Sequence, residues 1–322
     1  MNTRRLILLF SLIILSVSYL YALSWAQGII VFSYPKGTFV MRPDDTEPTR
    51  IVEEYISTPS PDGLFLAAMD TDPDRRNVLY IQDLHTGKKI RTIILPVHSY
   101  VDISWSPDGR WIVYAGNIQR IRAGRELDTE IFLISPDGRR KRKLTDQLGE
   151  RPIGFVWASN SQSVFYNLLT TGRRGEIWEM EINGTAQPKK HLPFHERAGF
   201  LSRYPFYSFS PDGKKIAYTP IHEGVFVANA DGTDHRKVAD EGLQHFYQVD
   251  WSPNGKSLVF SANTWAGDYG LYIYSFASQK VRRLVSLPDR FPILPRWVGD
   301  SLPVQPLNKV AVTWGSIKNS KQ

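Results

Sequence analysis

Arg151, Arg203 and His245 supply positive charge, and Tyr100, Tyr204 and Phe246 supply flat, largely apolar area. Together these six residues could hold an acidic or extended protein segment. Arginine forks a carboxylate through two parallel hydrogen bonds, and Arg and aromatic residues dominate the energetics of interfaces. The same Arg151 and Arg203 could instead clamp the carboxylates of an acidic saccharide. The six come from four stretches of the chain, at 100, 151, 203–204 and 245–246, which a repeating fold could bring to one place.

Other residue types point to chemistry less well. The chain has seven histidines and no cysteine, so thiol nucleophiles, thiolate metal sites and disulfides are excluded. His98, His195 and His245 fall in one class of connection and His85, His191 and His235 in another. No two have the local spacing of metal ligands, and a site would need three loops to converge. Asp70-Thr-Asp72-Pro-Asp74 opens like a calcium loop, but it lacks glycine at the sixth position and has Ile81 at the twelfth. No Gly-x-Ser-x-Gly elbow and no glycine-rich phosphate loop is present. Neither a metal nor an organic cofactor is expected, and an enzyme is expected less than a binding module. Asn183-Gly-Thr185 matches a glycosylation sequon but also reads as a turn. The net charge is +7, and Arg139-Arg-Lys-Arg-Lys143 is the densest basic cluster. A charged edge strand that repels other edges explains that cluster; an anionic polymer or acidic protein is the partner class it would suit.

The positioning elements come from a recurring turn. Trp105-Ser-Pro-Asp-Gly109 is matched by Phe209-Ser-Pro-Asp-Gly213 and Trp251-Ser-Pro-Asn-Gly255. Weaker copies are Trp157-Ala-Ser-Asn-Ser161 and Trp297-Val-Gly-Asp-Ser301, and Pro59-Ser-Pro-Asp-Gly63 keeps the turn without the aromatic. Proline pre-sets φ, Asp bonds its own backbone two residues on, and Gly takes the left-handed corner. Anchors at 59, 105, 157, 209, 251 and 297 are 46, 52, 52, 42 and 46 residues apart. A second turn lies inside each period, as at His85-Thr-Gly87, Ser135-Pro-Asp-Gly138 and Asn229-Ala-Asp-Gly232. Four strands per period in the forties predict an all-β, six-bladed propeller.

These phased turns resemble the WD40-like (PD40) repeats of the TolB-type six-bladed propeller, over roughly residues 29–316. The resemblance implies docking of protein partners over the channel mouth. TolB proteins carry an α/β domain ahead of the propeller. Here the strands before the first anchor already belong to blades, so that domain is not expected.

The ends complete the wheel. Gly28–Ser33, Thr38–Met41 and Arg50–Val52 read as three strands, and Leu294–Trp297 and Lys309–Trp314 as others, so the termini are expected to share the closing blade. Closure removes open sheet edges. Ahead of these, Arg4-Arg5 and the apolar run Leu6–Trp25 predict a cleaved signal peptide or a membrane anchor spanning residues 1–26, with 27–322 as the propeller. Either places the propeller outside the cytoplasm, in a bacterial periplasm or beyond. Any membrane contact would come through residues 6–25; a monomer is expected and nucleic acid is not. The longest insertions, Ala115–Asp128, Asn167–Glu176 and Pro193–Ser202, should share one face with the blade-to-blade connections. Counting back from each anchor puts Ser99, Arg151, Arg203 and His245, then Tyr100, Tyr204 and Phe246, at the start of innermost strands around the channel mouth. The function this implies is a non-enzymatic docking propeller. The alternative is a saccharide-binding or metal-dependent propeller acting on acidic sugars.

Overall fold

The structure is a computed structural model. It describes residues 28–34, 37–52, 57–97, 99–118, 129–146, 148, 151–169, 176–183, 188–190, 206–220, 223–240, 242–287 and 294–299. Of residues 34, 99–101, 151, 169, 176 and 190 only the backbone is described. The leader at 6–25, the strand expected at 309–314 and most of the three long insertions lie outside the described residues.

The described residues form 24 strands in six four-stranded antiparallel sheets. The first complete blade is β4 (Ser57–Pro59), β5 (Phe65–Thr71), β6 (Asn77–Asp83) and β7 (Lys89–Ile94). The second is β8 (Ser99–Trp105), β9 (Ile112–Asn117), β10 (Thr129–Ile134) and β11 (Lys141–Lys143). The third is β12 (Arg151–Trp157), β13 (Ser163–Leu169), β14 (Glu176–Glu181) and β15 (Lys189–Lys190). The fourth is β16 (Phe206–Phe209), β17 (Lys215–Thr219), β18 (Val225–Asn229) and β19 (Arg236–Ala239). The fifth is β20 (Leu243–Trp251), β21 (Ser257–Thr264), β22 (Tyr269–Ser275) and β23 (Lys280–Leu287). The sixth blade closes the ring with one strand from the end and three from the beginning. In it β24 (Leu294–Val298) pairs with β1 (Ile29–Tyr34), followed by β2 (Gly37–Met41) and β3 (Thr49–Val52). The Ile30↔Trp297 register of β1 and β24 is the closure itself.

Each innermost strand runs from the face that carries the blade-to-blade connections, here the loop face, toward the face that carries the two hairpin turns of every blade, here the turn face. The recurring turn is held by one serine and one acid. Ser60, Ser106, Ser135, Ser210 and Ser252 each donate to the Oδ1 of Asp62, Asp108, Asp137, Asp212 or Asn254. The same oxygen accepts the backbone N–H two residues on, and the serine accepts the N–H five residues on. These bonds hold the carboxyls of Asp137 and Asp212 below the usual range, the serine bond leading. Gly109 (φ 72°) fills the left-handed corner; in the weaker copy Ser161 takes it at φ 59°, where a side chain is strained.

The core is divided into six clusters, one in each seam between neighbouring blades. Large apolar side chains such as Phe32, Phe155 and Phe260 are fully buried there. Truncating a residue of this kind to alanine costs about 3–5 kcal/mol. The anchor aromatic has a second role: the indole N–H of Trp157 donates to Ser104 O at 3.2 Å, and that of Trp251 to Ser208 O at 3.0 Å. Each bond crosses from one blade's inner strand to the inner strand before it.

Candidate functional site

The channel mouth expected on the loop face is only partly within the described residues. Arg203 and Tyr204 lie outside them. Ser99, Tyr100 and Arg151 start β8 and β12, as expected, opposite Asn117, Gly116 and Leu169, and only their backbone is described. His245 is half-buried near the start of β20, where its N–H and Nδ1 both meet Asn263 Oδ1, at 2.8 and 3.0 Å. Phe246 is a correction. It is 1% exposed, packs among Val249, Trp251 and Phe260, and presents no flat area to a partner. Successive strand residues face opposite ways, so His245 and Phe246 cannot both look into the mouth.

The same end of this blade carries aromatic area that counting back from the anchor did not find. Tyr247 sits in a bulge of β20, between Phe246 and Val249. Its ring stacks on Tyr269 with centroids 5.9 Å apart, and the two hydroxyls are 3.2 Å apart. Burial pushes the Tyr247 phenol above its ordinary pKa. Trp265, in the turn between β21 and β22, is 73% exposed. Because His245 pairs with Asn263, Trp265 stands at the same end of the blade. An exposed tryptophan between two strands was visible in the sequence, but its loop is short and drew no attention.

Deeper in the channel lies a charged cluster that also went unpredicted. Asp102 Oδ2 accepts the backbone N–H groups of Gly154 (2.6 Å) and Phe155 (3.1 Å) of the next blade, and Oδ1 accepts that of Ile103. Asp250 accepts Ser208 Oγ (2.6 Å) from the blade before and the Trp297 N–H (2.8 Å) from the closing blade. Arg296 of the closing strand donates to Phe155 O at 3.4 Å and, with the amide oxygen of Gln248 turned toward it, to Gln248 at 2.9 and 3.1 Å. Burial raises the pKa of both aspartates, and the Arg296 charge opposes that shift. Their oxygens are occupied by structural donors, so this cluster links the second through the sixth blades. Asp250 and Arg296 each stand one residue before an anchor aromatic, where other blades place Thr58, Ser104, Val156 and Ser208. A charge at that position was the available signal.

Toward the turn face the channel opens into a cavity of about 380 Å³ lined by Trp157, Trp251, Trp297 and Phe209, with Asp250 and Arg296. Among the described residues no group of three or more His, Cys, Asp or Glu could hold a metal ion. The calcium-like loop is closed internally. Arg76 pairs with Asp72 at 2.6 Å and Asp74 at 2.9 Å, and its hydrogen bond holds the Asp72 carboxyl below the usual range. His235 bonds the Tyr218 hydroxyl at 2.7 Å. His85 follows the Asp83 turn on the opposite face.

No protein-family model matches the chain. A relative from Bacillus subtilis (strain 168), the uncharacterized peptidase YuxL, is 29% identical over 171 residues, 50% of this chain and 22% of that protein. Among solved structures, TolB from Acinetobacter baumannii superposes with a TM-score of 0.60 at 18% identity, covering 84% of this chain and 66% of that one. A chain of the nidogen/laminin complex gives 0.60 at 15% identity, covering 83% of this chain and 96% of that one. These similarities and the six sheets make the fold a TolB-like six-bladed propeller.

Proposed function

We propose that this exported propeller is a docking module that receives a protein partner on the loop face, over the channel mouth. One observation carries the proposal. Trp265 is 73% exposed at the end of the blade where His245 and the Tyr247–Tyr269 pair also stand. An indole held in water on a rigid frame is the residue type that anchors interfaces once desolvated. The bound segment would run from Trp265 toward Arg151, Arg203, Tyr100 and Tyr204, the residues proposed to hold it together with His245. The likeness to a chain of a two-protein complex is compatible with such a role. The 22% of the YuxL peptidase that is matched is too small a part for its name to be carried over. The leader at 6–25 would place the module in the periplasm or beyond.

The test is capture from an envelope extract by the full chain, compared with Trp265→Ala. Loss of one stoichiometric protein with the variant, and its recovery with Trp265→Phe, is expected. Equal capture by wild type and Trp265→Ala would remove the loop face from consideration. Thermal stabilisation by uronic-acid oligomers without any captured protein would turn the reading to acidic saccharides.

A further inference from the structure

On the opposite, turn face, the seam between the first two complete blades holds a groove of about 430 Å³. Phe65, Ile81 and Trp105 form its floor, and Ile90, 53% exposed, forms its outer lip. Trp105 is 8% exposed and lies between this groove and the channel cavity. Its indole nitrogen is buried and has no hydrogen-bond partner among the described residues. The matching nitrogens of Trp157 and Trp251 both donate to a carbonyl of the preceding blade. A buried donor without an acceptor costs about 1–3 kcal/mol, so this seam is less tightly held than the two in which the indole is bonded.

The seam before Trp251 shows how such a groove is filled from within. There Phe276 stacks on Trp251, centroids 5.4 Å apart and planes 14° apart, and Arg236 lies over the Phe276 ring. Ser275-Phe276 aligns with Ser135-Pro136, so Pro136 stands where the covering aromatic would be. An incoming aromatic or branched side chain could take the place that Phe276 takes in the other seam.

The rim selects charge. Asp62, Asp108 and Asp137 border the groove, against one arginine, Arg91, in its lining. Each aspartate has one oxygen committed to its turn. Arg110 and Arg139 approach the second oxygens of Asp108 and Asp137 only at 3.7 and 4.0 Å, from side chains 74% and 87% exposed. Pairs of that kind hold little energy and can be displaced.

We infer that this groove binds an extended peptide segment. An apolar side chain of that segment covers the Trp105 ring, and an adjacent Lys or Arg meets the rim aspartates. The site lies on the face opposite the proposed loop-face surface and does not depend on it.

A random dodecapeptide display library panned on the full-length chain, with counter-selection on Pro136→Phe, tests this. The expected product is a consensus pairing an apolar residue with a neighbouring Lys or Arg. A synthetic consensus peptide should move the Trp105 indole N–H resonance, assigned by its absence in Trp105→Phe. Trp105→Phe should weaken binding about fivefold, because the floor loses the larger ring. Ile90→Lys, on the exposed lip, should weaken it at least as much with an unchanged melting temperature, and it replaces Pro136→Phe as counter-selector if that variant does not fold. Peptides that bind wild type and both groove variants equally, a consensus without a basic residue, or an unmoved Trp105 resonance would each overturn the assignment and leave the groove filled by solvent only.

Discussion

Two seams of one wheel carry the same anchor tryptophan and use it differently. Before Trp251 the seam is closed. The indole bonds Ser208 O, Phe276 stacks on the ring, and Ser208 Oγ bonds the neighbouring Asp250. Before Trp105 the corresponding places hold Pro136 and Ser104, the indole has no partner among the described residues, and a groove is open to solvent. The comparison teaches that the anchor aromatic does not by itself seal a seam. In the closed seam the seal comes from an aromatic that opens the second turn, Phe276, and an acceptor on the blade before, Ser208 O.

The largest test of this difference is truncation. Trp251→Ala should destabilise by about 3–5 kcal/mol. Trp105→Ala should cost about 1–2 kcal/mol less, because it strands no carbonyl and unstacks no neighbouring ring. Urea midpoints measure both, and equal losses would break the comparison. A finer test keeps the volume nearly constant. Trp251→Phe leaves Ser208 O unpaired and should cost about 1–3 kcal/mol, whereas Trp105→Phe removes an unbonded donor and should be close to neutral or stabilising.

The smallest effect is in pH. Burial raises the Asp250 pKa in the folded state above its unfolded value. The folded protein then holds its proton longer than the unfolded chain does, so the stability contributed by the protonated carboxyl is present at low pH. It is lost as pH rises from the unfolded pKa through the folded one. Asp250→Asn removes this titration but keeps an acceptor for Ser208. Relative to the variant, the wild type should therefore be most stable in acid and should lose ground as pH rises toward neutral. A wild type that instead gained on the variant with rising pH would mean that the donors and Arg296, not burial, dominate at this site.

The residues differ in how far the sequence alone could place them. Ser106, Pro107, Asp108 and Gly109 announce their turn because the bonds from Ser106 Oγ and Asp108 Oδ1 that shape it are made within five residues. Local chemistry of that kind repeats legibly, and six copies gave the blade number and the shared closing blade, while the division of that blade into one strand from the end and three from the beginning came from the structure. The strand starts at Ser99 and Arg151 followed from the same count, with His245 two residues inside β20. Phe246 did not. The bulge between Phe246 and Val249 changes which side chains face the channel, and a one-residue shift in a strand exchanges its two faces. Asp102, Asp250 and Arg296 meet across blades some fifty residues apart or more, through bonds to backbone groups that carry no sequence signature.

What the sequence determined by itself is thus the wheel: an all-β chain of six blades built on Ser-Pro-Asp-Gly turns, because hairpins are short-range objects whose residues must satisfy their own backbone. What only the tertiary structure decided is how the blades meet: the lock around Arg296, the exposed Trp265, and the open seam beneath Trp105. Those depend on packing between segments whose neighbours are set by closure of the ring, and the identity of a residue does not say which carbonyl of another blade, if any, will stand opposite it.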